Sequence, residues 1–278
     1  MNAAIKYIKE RLLPVYSERE AIAMAKWLLT EVFGFTTLNL YGVHERTLLE
    51  QEYIQLDNII NRLKHHEPLQ YIIGYEEFCG LRFKVTTHTL IPRPETGELV
   101  EWITSDFSTQ APCLLDVGTG SGCIVISIAH KLRQGHYDAI DISADALTVA
   151  KENAATHNVC IHFWQQDIFN NWDNNAMYDV IVSNPPYITD SEMSSMEPNV
   201  LNWEPHTALF VPDSAPLKFY RRIAEVGLSH LKTNGMLYFE INQRYGVETV
   251  SMLSDMGYRN IIIRKDIHQN NRMIRATK

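Results

Sequence analysis

From residue 113 to the end of the chain, apolar runs of strand length alternate with segments of helical periodicity, and few folds accept that pattern. Strands are predicted near 113–117, 137–142, 159–164, 178–183, 236–241, 259–264 and 272–276, with helices near 95–106, 121–133, 143–157, 216–231 and 245–256. Alternation of this kind builds an open sheet covered by helices on both faces. The expected fold is α/β, a doubly wound, mostly parallel seven-stranded sheet.

Upstream the pattern changes. Ile5, Ile8, Leu12 and Leu13 recur at helical spacing. Ser17 and Glu20 form an S-x-x-E capping box before the run Ala21 to Leu29, and Gly34 is a natural stop. Leu48, Leu49, Tyr53, Leu56, Ile59, Ile60 and Leu63 trace a further helix. Residues 1–73 are therefore read as a small helical bundle. Phe78, Leu81, Phe83 and Val85 then alternate around Gly80, which predicts a connecting β-hairpin over 74–90. Ile91-Pro92-Arg93-Pro94 is an extended punctuator, and 91–278 forms the sheet domain.

Composition excludes several classes. The 278 residues carry a net charge of -8, which argues against a partner gripped mainly through its phosphates. Cys79, Cys113, Cys123 and Cys160 lie far apart without a CxxC pair, the usage of a reducing compartment. No apolar run of ~18 residues is available for a membrane helix. Lys6, Lys9, Glu10 and Arg11 interrupt the N-terminal apolar residues, so no signal-peptide core is expected there. The expectation is a cytoplasmic monomer with no membrane and no direct nucleic-acid partner. His65-His66 is an isolated pair, and neither H-E-x-x-H nor a Cys/His cluster occurs, so no metal site is expected.

Two segments carry chemistry. The first is Gly118-Thr119-Gly120-Ser121-Gly122, between the buried strand Cys113 to Val117 and a helix opening at Cys123. A glycine-rich strand-to-helix turn lets a ligand approach the backbone at the positive end of a helix, although a tight loop alone accounts for the same residues. A dinucleotide fingerprint needs glycine at 123, where Cys123 stands; G-x-G-x-G after Asp116 suits a nucleoside carrying an amino-acid chain better than a pyrophosphate. Asp141, at the end of the second strand, can accept the ribose hydroxyls or simply accompany Ser143 as a helix cap. Asp167 can accept from an adenine amino group, with the Ile168 N–H reading a ring nitrogen, or be a solvated loop acid. Together these elements stand where S-adenosylmethionine binding requires them.

The second segment is Asn184-Pro185-Pro186-Tyr187, after the run Tyr178 to Val182. The prolines fix φ and remove backbone donors, so Asn184 Oδ1 and the Pro185 carbonyl can both accept from a planar NH2 group. Tyr187 is expected to stack on that plane and exclude water. The competing readings are a rigid turn with a capping asparagine and a clamp for an exocyclic base amine such as adenine N6. The second rival lacks a basic, aromatic-rich stretch. Arg221-Arg222 and Arg272 with Arg275 read as solvated faces or structural ion pairs.

Asp116 to Gly122, Asp141 and Asp167 resemble the class I S-adenosylmethionine-dependent methyltransferases. Gln70 to Gly74, Ile91 to Thr96, Glu204-Pro205 with Ala208 to Phe210, Tyr220 to Ile223, Glu240-Ile241, and Asp266 with Asn271 to Met273 narrow the resemblance to release-factor glutamine methyltransferases of the HemK/PrmC type. Gly97 departs from the acid usual after Glu95-Thr96. The resemblance implies a Rossmann-like methyltransferase domain with an N-terminal domain that docks the protein substrate. It also implies S-adenosylmethionine as cofactor and class I peptide-chain release factors as partners, whose Gly-Gly-Gln glutamine is methylated at N5.

Overall fold

The computed structural model describes residues 3–44, 46–172 and 175–278; residues 1, 2, 45, 173 and 174 lie outside it. The chain divides into two compact units.

The first unit comprises residues 1–75 together with 197–203. It contains α1 (Ala3–Leu12), α2 (Glu18–Glu31), α3 (Thr37–Leu40), α4 (Glu50–Lys64) and α5 (Leu69–Ile73). At the start of α2, Ser17 Oγ accepts from Glu20 N at 3.3 Å and the Glu20 carboxylate accepts from Ser17 N at 3.1 Å, so the capping box is present in both halves. Gly34, with φ of 63°, turns the chain out of the helix. Ile8, Leu12, Leu28, Leu29, Leu56 and Leu63 are fully buried in one cluster, each contributing about 1.5–3 kcal/mol relative to exposure. Leu13 and Leu49 fit the apolar periodicity yet are exposed, because each lies just outside its helix. Residues 197–203, sequentially inside the sheet domain, belong to this unit: the Trp203 indole N–H donates to the His65 carbonyl at 3.1 Å.

The second unit takes the remaining residues. A two-stranded sheet of β1 (Tyr75–Phe78) and β2 (Leu81–Lys84) opens it, all but Tyr75 belonging to this unit. Cys79 and Gly80 join them with φ of 52° and 79°, the paired positive angles that a two-residue hairpin turn demands. After α6 (Pro94–Asp106) come β3 (Cys113–Val117), α7 (Cys123–Leu132), β4 (His136–Asp141), α8 (Ala144–Thr156), β5 (His162–Gln165), β6 (Tyr178–Ser183) and β7 (Ile188–Thr189). The short helix α9 (Pro198–Leu201) belongs to the first unit; β8 (Phe210–Val211), α10 (Lys218–His230), β9 (Leu231–Glu240), α11 (Gly246–Asp255), β10 (Arg259–Lys265) and β11 (Asn271–Thr277) complete the chain.

The main sheet has seven strands in the order β10-β11-β9-β6-β3-β4-β5. The pairings β9-β6-β3-β4-β5 are all parallel, and β11 alone runs opposite, antiparallel to both of its neighbours. Successive side chains point to opposite faces of the sheet. Leu114, Val180, Val182 and Tyr238 pack with α6 and α7, whereas Leu115, Ile181, Leu237 and Phe239 pack with α10 and α11. Both faces of the central strands are buried, which is why those strands read as continuous apolar runs. The order reverses at β3, with β4 and β5 on one side and β6 and β9 on the other. That reversal opens a crevice beyond the carboxyl ends of these strands.

Two details differ from expectation. β9 starts five residues early, at Leu231, with a register shift opposite Tyr178/Val180 where Asn234 takes φ of 63°. A separate parallel pair, β7 with β8, aligns Ile188 with Phe210 and Thr189 with Val211. Segments of two residues are too short to show a period, so the sequence gives no sign of this pair.

Candidate active site

The carboxyl ends of β3, β4, β5 and β6 are tied together by hydrogen bonds at and just beyond the strand ends. Ser183 Oγ donates to the Val117 carbonyl at 2.6 Å, so the glycine loop and the proline turn leave the sheet side by side. Gly118 N and Thr119 N both donate to the Ile140 carbonyl at 2.9 Å, and Gln166 N donates to the Asp141 carbonyl at 3.0 Å. The result is a cavity of about 580 Å³, within the ~300–1,000 Å³ typical of small-molecule sites.

Most of the residues picked out from sequence meet at this cavity. Gly118, Thr119, Gly120, Ser121, Asp141, Asp167, Ile168, Asn184, Pro185 and Pro186 line it. Gly118 and Gly120 have φ of 74° and 56°, and a Cβ on either would point into open space. Their backbone is therefore exposed to whatever fills the cavity. Asp141 Oδ2 accepts from Gly120 N at 2.8 Å and Oδ1 from Ser143 N at 2.9 Å. These contacts match the companion-cap reading, and each oxygen keeps a second lone pair for a ligand. Burial raises the Asp141 pKa, opposed by those backbone bonds. Asp167 Oδ1 accepts from Phe169 N at 2.9 Å, which shapes the loop beside Ile168.

Three expected site residues stand back from the cavity wall. Asp116 is fully buried below the glycine loop and holds Thr119 Oγ1 at 2.7 Å. Its Oδ1 has no hydrogen-bond partner among the described residues. Burial pushes its pKa up to about 7, with the Thr119 bond opposing and the Asp141 charge adding. Gly122 is packed rather than open, since a Cβ there would meet Ile126 Cδ1 at 2.6 Å. Tyr187 is not among the residues lining the cavity. Its hydroxyl donates to the buried Glu240 carboxylate at 3.0 Å and its ring packs with the apolar cluster around Ile181 and Phe239. It anchors the proline turn from beneath.

The turn has further supports that sequence reasoning missed. Asn242 Nδ2 donates to the Tyr187 carbonyl at 3.1 Å. Thr96 Oγ1, at the cavity wall, donates to Glu240 Oε2 at 2.6 Å and accepts from Asn184 Nδ2 at 3.4 Å. Burial raises the Glu240 pKa, while the Thr96 and Tyr187 bonds and the Arg272 charge hold it down. Arg222 does form an ion pair, Nη1 with Glu225 at 3.3 Å, and it does more: Nε donates to the Ile168 carbonyl at 2.8 Å and Nη2 to the Asn170 carbonyl at 3.0 Å, clamping the loop after β5. Arg272 and Arg275 do form ion pairs, with Asp266 and Asp106. Arg93 pairs with buried Glu204 at 2.6 Å, and Glu204 also accepts from Ile91 N, which joins two segments of the cavity rim. Thr96, Glu240 and Glu204 carry part of the resemblance noted from sequence, but only the fold assigns them these jobs. Among the described residues, no cluster of His, Cys, Asp and Glu is arranged to hold a metal.

Comparison with known proteins decides the family. The family described as "PrmC N-terminal domain" matches residues 3–74, and "Methyltransferase small domain" matches residues 96–200. A release factor glutamine methyltransferase of Bacteroides thetaiotaomicron is 44% identical over 279 residues, covering 100% of both chains. The chain belongs to the release factor glutamine methyltransferase family. A second member, from Flavobacterium psychrophilum, is 41% identical over 96% of this chain and 95% of its own length. Among solved structures, a Pyrococcus furiosus methyltransferase aligns with a TM-score of 0.53 and 16% identity, covering 72% of this chain and 89% of its own. The hMettl16 catalytic domain in complex with a MAT2A 3'UTR hairpin aligns with a TM-score of 0.60 at 16% identity, over 92% of this chain and 89% of its own. At that identity the likeness is one of fold. No helix among the described residues is long and apolar enough to cross a membrane.

Proposed function

We propose that this enzyme transfers a methyl group from S-adenosylmethionine to the side-chain amide nitrogen (N5) of the glutamine in the Gly-Gly-Gln loop of class I peptide-chain release factors. The observation that carries the reading is the Asn184 amide. It lines the cavity with its NH2 end turned to Thr96, which leaves its oxygen as the end available to a donor. Its relatives' shared name supports the choice of substrate.

The residues at hand fit the cofactor. The open glycine backbone at 118 and 120, the carboxylate of Asp141 and the Asp167-Ile168 pair would hold its amino-acid, ribose and adenine parts. Asp116 would act from below by fixing Thr119. When bound, S-adenosylmethionine supplies an electrophilic methyl group on a sulfonium sulfur. The chain's own work falls on the substrate amide, whose nitrogen lone pair is delocalised and weakly nucleophilic. Asn184 Oδ1 and the Pro185 carbonyl accept its two N–H groups and fix the nitrogen in place. Positioning of this sort supplies up to ~7–11 kcal/mol. The same two oxygens stabilise positive charge building on nitrogen. No general base is needed beside it, because the nitrogen turns acidic as it gains the methyl and releases a proton to water.

Residues 1–73 would dock the body of the factor, since a three-residue loop offers little area. Their removal should impair methylation of the intact factor more than that of a short Gly-Gly-Gln peptide. A substrate that acts in translation termination would place the enzyme in the cytoplasm. The deciding experiment incubates the protein with purified release factor and labelled cofactor and maps the modified residue by mass. Label on the Gly-Gly-Gln glutamine supports the reading; an unlabelled factor, with label instead on an oligonucleotide offered in a parallel reaction, overturns it.

A further inference from the structure

Asparagine presents two ends of nearly equal shape and opposite chemistry, and the clamp works in only one orientation. With Oδ1 toward the cavity, Asn184 accepts a substrate N–H. Rotated by half a turn about its last side-chain bond, it would oppose donor to donor. Something must set that orientation, and the chain of bonds behind it does so.

Glu240 lies at the end of β9, fully buried. Each of its two oxygens accepts one hydroxyl: Oε2 from Thr96 at 2.6 Å and Oε1 from Tyr187 at 3.0 Å. A hydroxyl has one proton. Thr96 spends its proton on Glu240, so toward Asn184 it can only accept. An acceptor at that point selects the Nδ2 end of the amide, at 3.4 Å, and Oδ1 is left on the other side. Reversing Asn184 would set its oxygen against the Thr96 oxygen, with no proton between them.

We propose that Thr96 is a positioning residue for methyl transfer: with its proton committed to Glu240, it selects the Asn184 amide orientation that can accept the substrate's N–H. This rests on the proposed function, whose clamp it explains. Thr96 is the first residue matched by the methyltransferase family description, and nothing in that match assigns it a part in the reaction. Nor does helix formation need its hydroxyl, because Thr96 lies inside α6 with Pro94 leading the helix and Arg93 as its cap residue.

The test compares Thr96→Val, Thr96→Ala and Thr96→Ser, with wild type, on purified release factor. Val keeps the shape and removes the hydroxyl; Ala removes it without adding volume, should Val fold poorly; Ser restores it. The expected result is a fall in kcat of about tenfold or more for Val and Ala, as removal of a single oriented polar group in an active site can produce. Ser should stay within about threefold of wild type. The Kd for S-adenosylhomocysteine, read by calorimetry, should stay within about threefold in all three, and thermal melting should remain cooperative. Equal kcat for Val, Ala and Ser would falsify the orienting role, as would a loss that appears only as weaker cofactor affinity. Failure of the wild-type protein to methylate any release factor sinks the functional reading instead, and the two failures are thereby told apart.

Discussion

The glycine loop and the proline turn stand side by side at the same edge of the sheet, and they are built in opposite ways. The loop is local. Residues 118–122 set their own path through positive φ at Gly118, Gly120 and Gly122, and are steadied from outside by Ile140, Asp141, the buried Asp116 and Asn153, whose Nδ2 donates to the Ser121 carbonyl at 2.9 Å. The turn is a composite: Asn184 and Tyr187 are held by Thr96, Glu240 and Asn242, drawn from a helix and from the end of a distant strand. A site that must cradle a ligand by its backbone can be written in five consecutive letters. A site that must fix the direction of one amide needs partners from elements far away in the chain.

The sharpest way to break this comparison is to remove the clamp and leave the cradle. Asn184→Ala should lower turnover by ~10²–10³-fold, the scale for loss of one preorganised polar group, with cofactor affinity within a few-fold of wild type. Methyl transfer and calorimetric binding on the same preparation check it. Near wild-type turnover would leave the turn a merely structural corner.

The converse experiment is Asp141→Ala. The carboxylate organises both Gly120 N and Ser143 N and faces the cavity. Cofactor Kd should rise about tenfold or more, since hydrogen bonds to charged groups contribute about 1.5–3 kcal/mol. An unchanged Kd would reduce Asp141 to a helix cap. A smaller effect is expected from Arg222→Ala, which releases the Ile168 and Asn170 carbonyls: a rise in cofactor Kd of about threefold to tenfold, with kcat held. A drop in kcat without a change in Kd would show that the loop after β5 serves the substrate.

The contrast also explains what could be read in advance. Strands 113–117 and 178–183 were legible because parallel strands buried on both faces are continuous apolar runs, and the glycine loop because its residues are contiguous. Ser17 with Glu20 announced a helix start for the same local reason. The roles of Thr96, Glu240 and Arg222 could not be read, because a threonine, a glutamate and an arginine acquire them only through neighbours 52 to 144 positions away. The partner of the Tyr187 hydroxyl, Glu240, is likewise invisible in the local sequence. Residues 197–203 joined the first unit through Trp203, and a single indole N–H leaves no pattern.

The smallest expected effect concerns stability, and it tests the buried carboxylate beneath the loop. Glu240 and Asp116 are both fully buried carboxylates, but Glu240 receives two hydroxyls whereas Asp116 receives one and keeps an unpartnered oxygen. Burial raises the Asp116 pKa from 3.8 to about 7. Between those values the folded chain holds the proton more tightly than the unfolded chain, so this group makes stability fall as pH rises from about 4 to about 7 and adds no further slope above. Asparagine cannot ionise, and its Oδ1 can still accept from Thr119. Asp116→Asn should therefore melt on the order of 5 °C above wild type at pH 8, with the gap shrinking toward zero near pH 4. Melting curves of both proteins across that range decide the matter. A gap that does not change with pH would mean that Asp116 keeps its charge at no cost, and the loop would then have to supply a partner for the second oxygen.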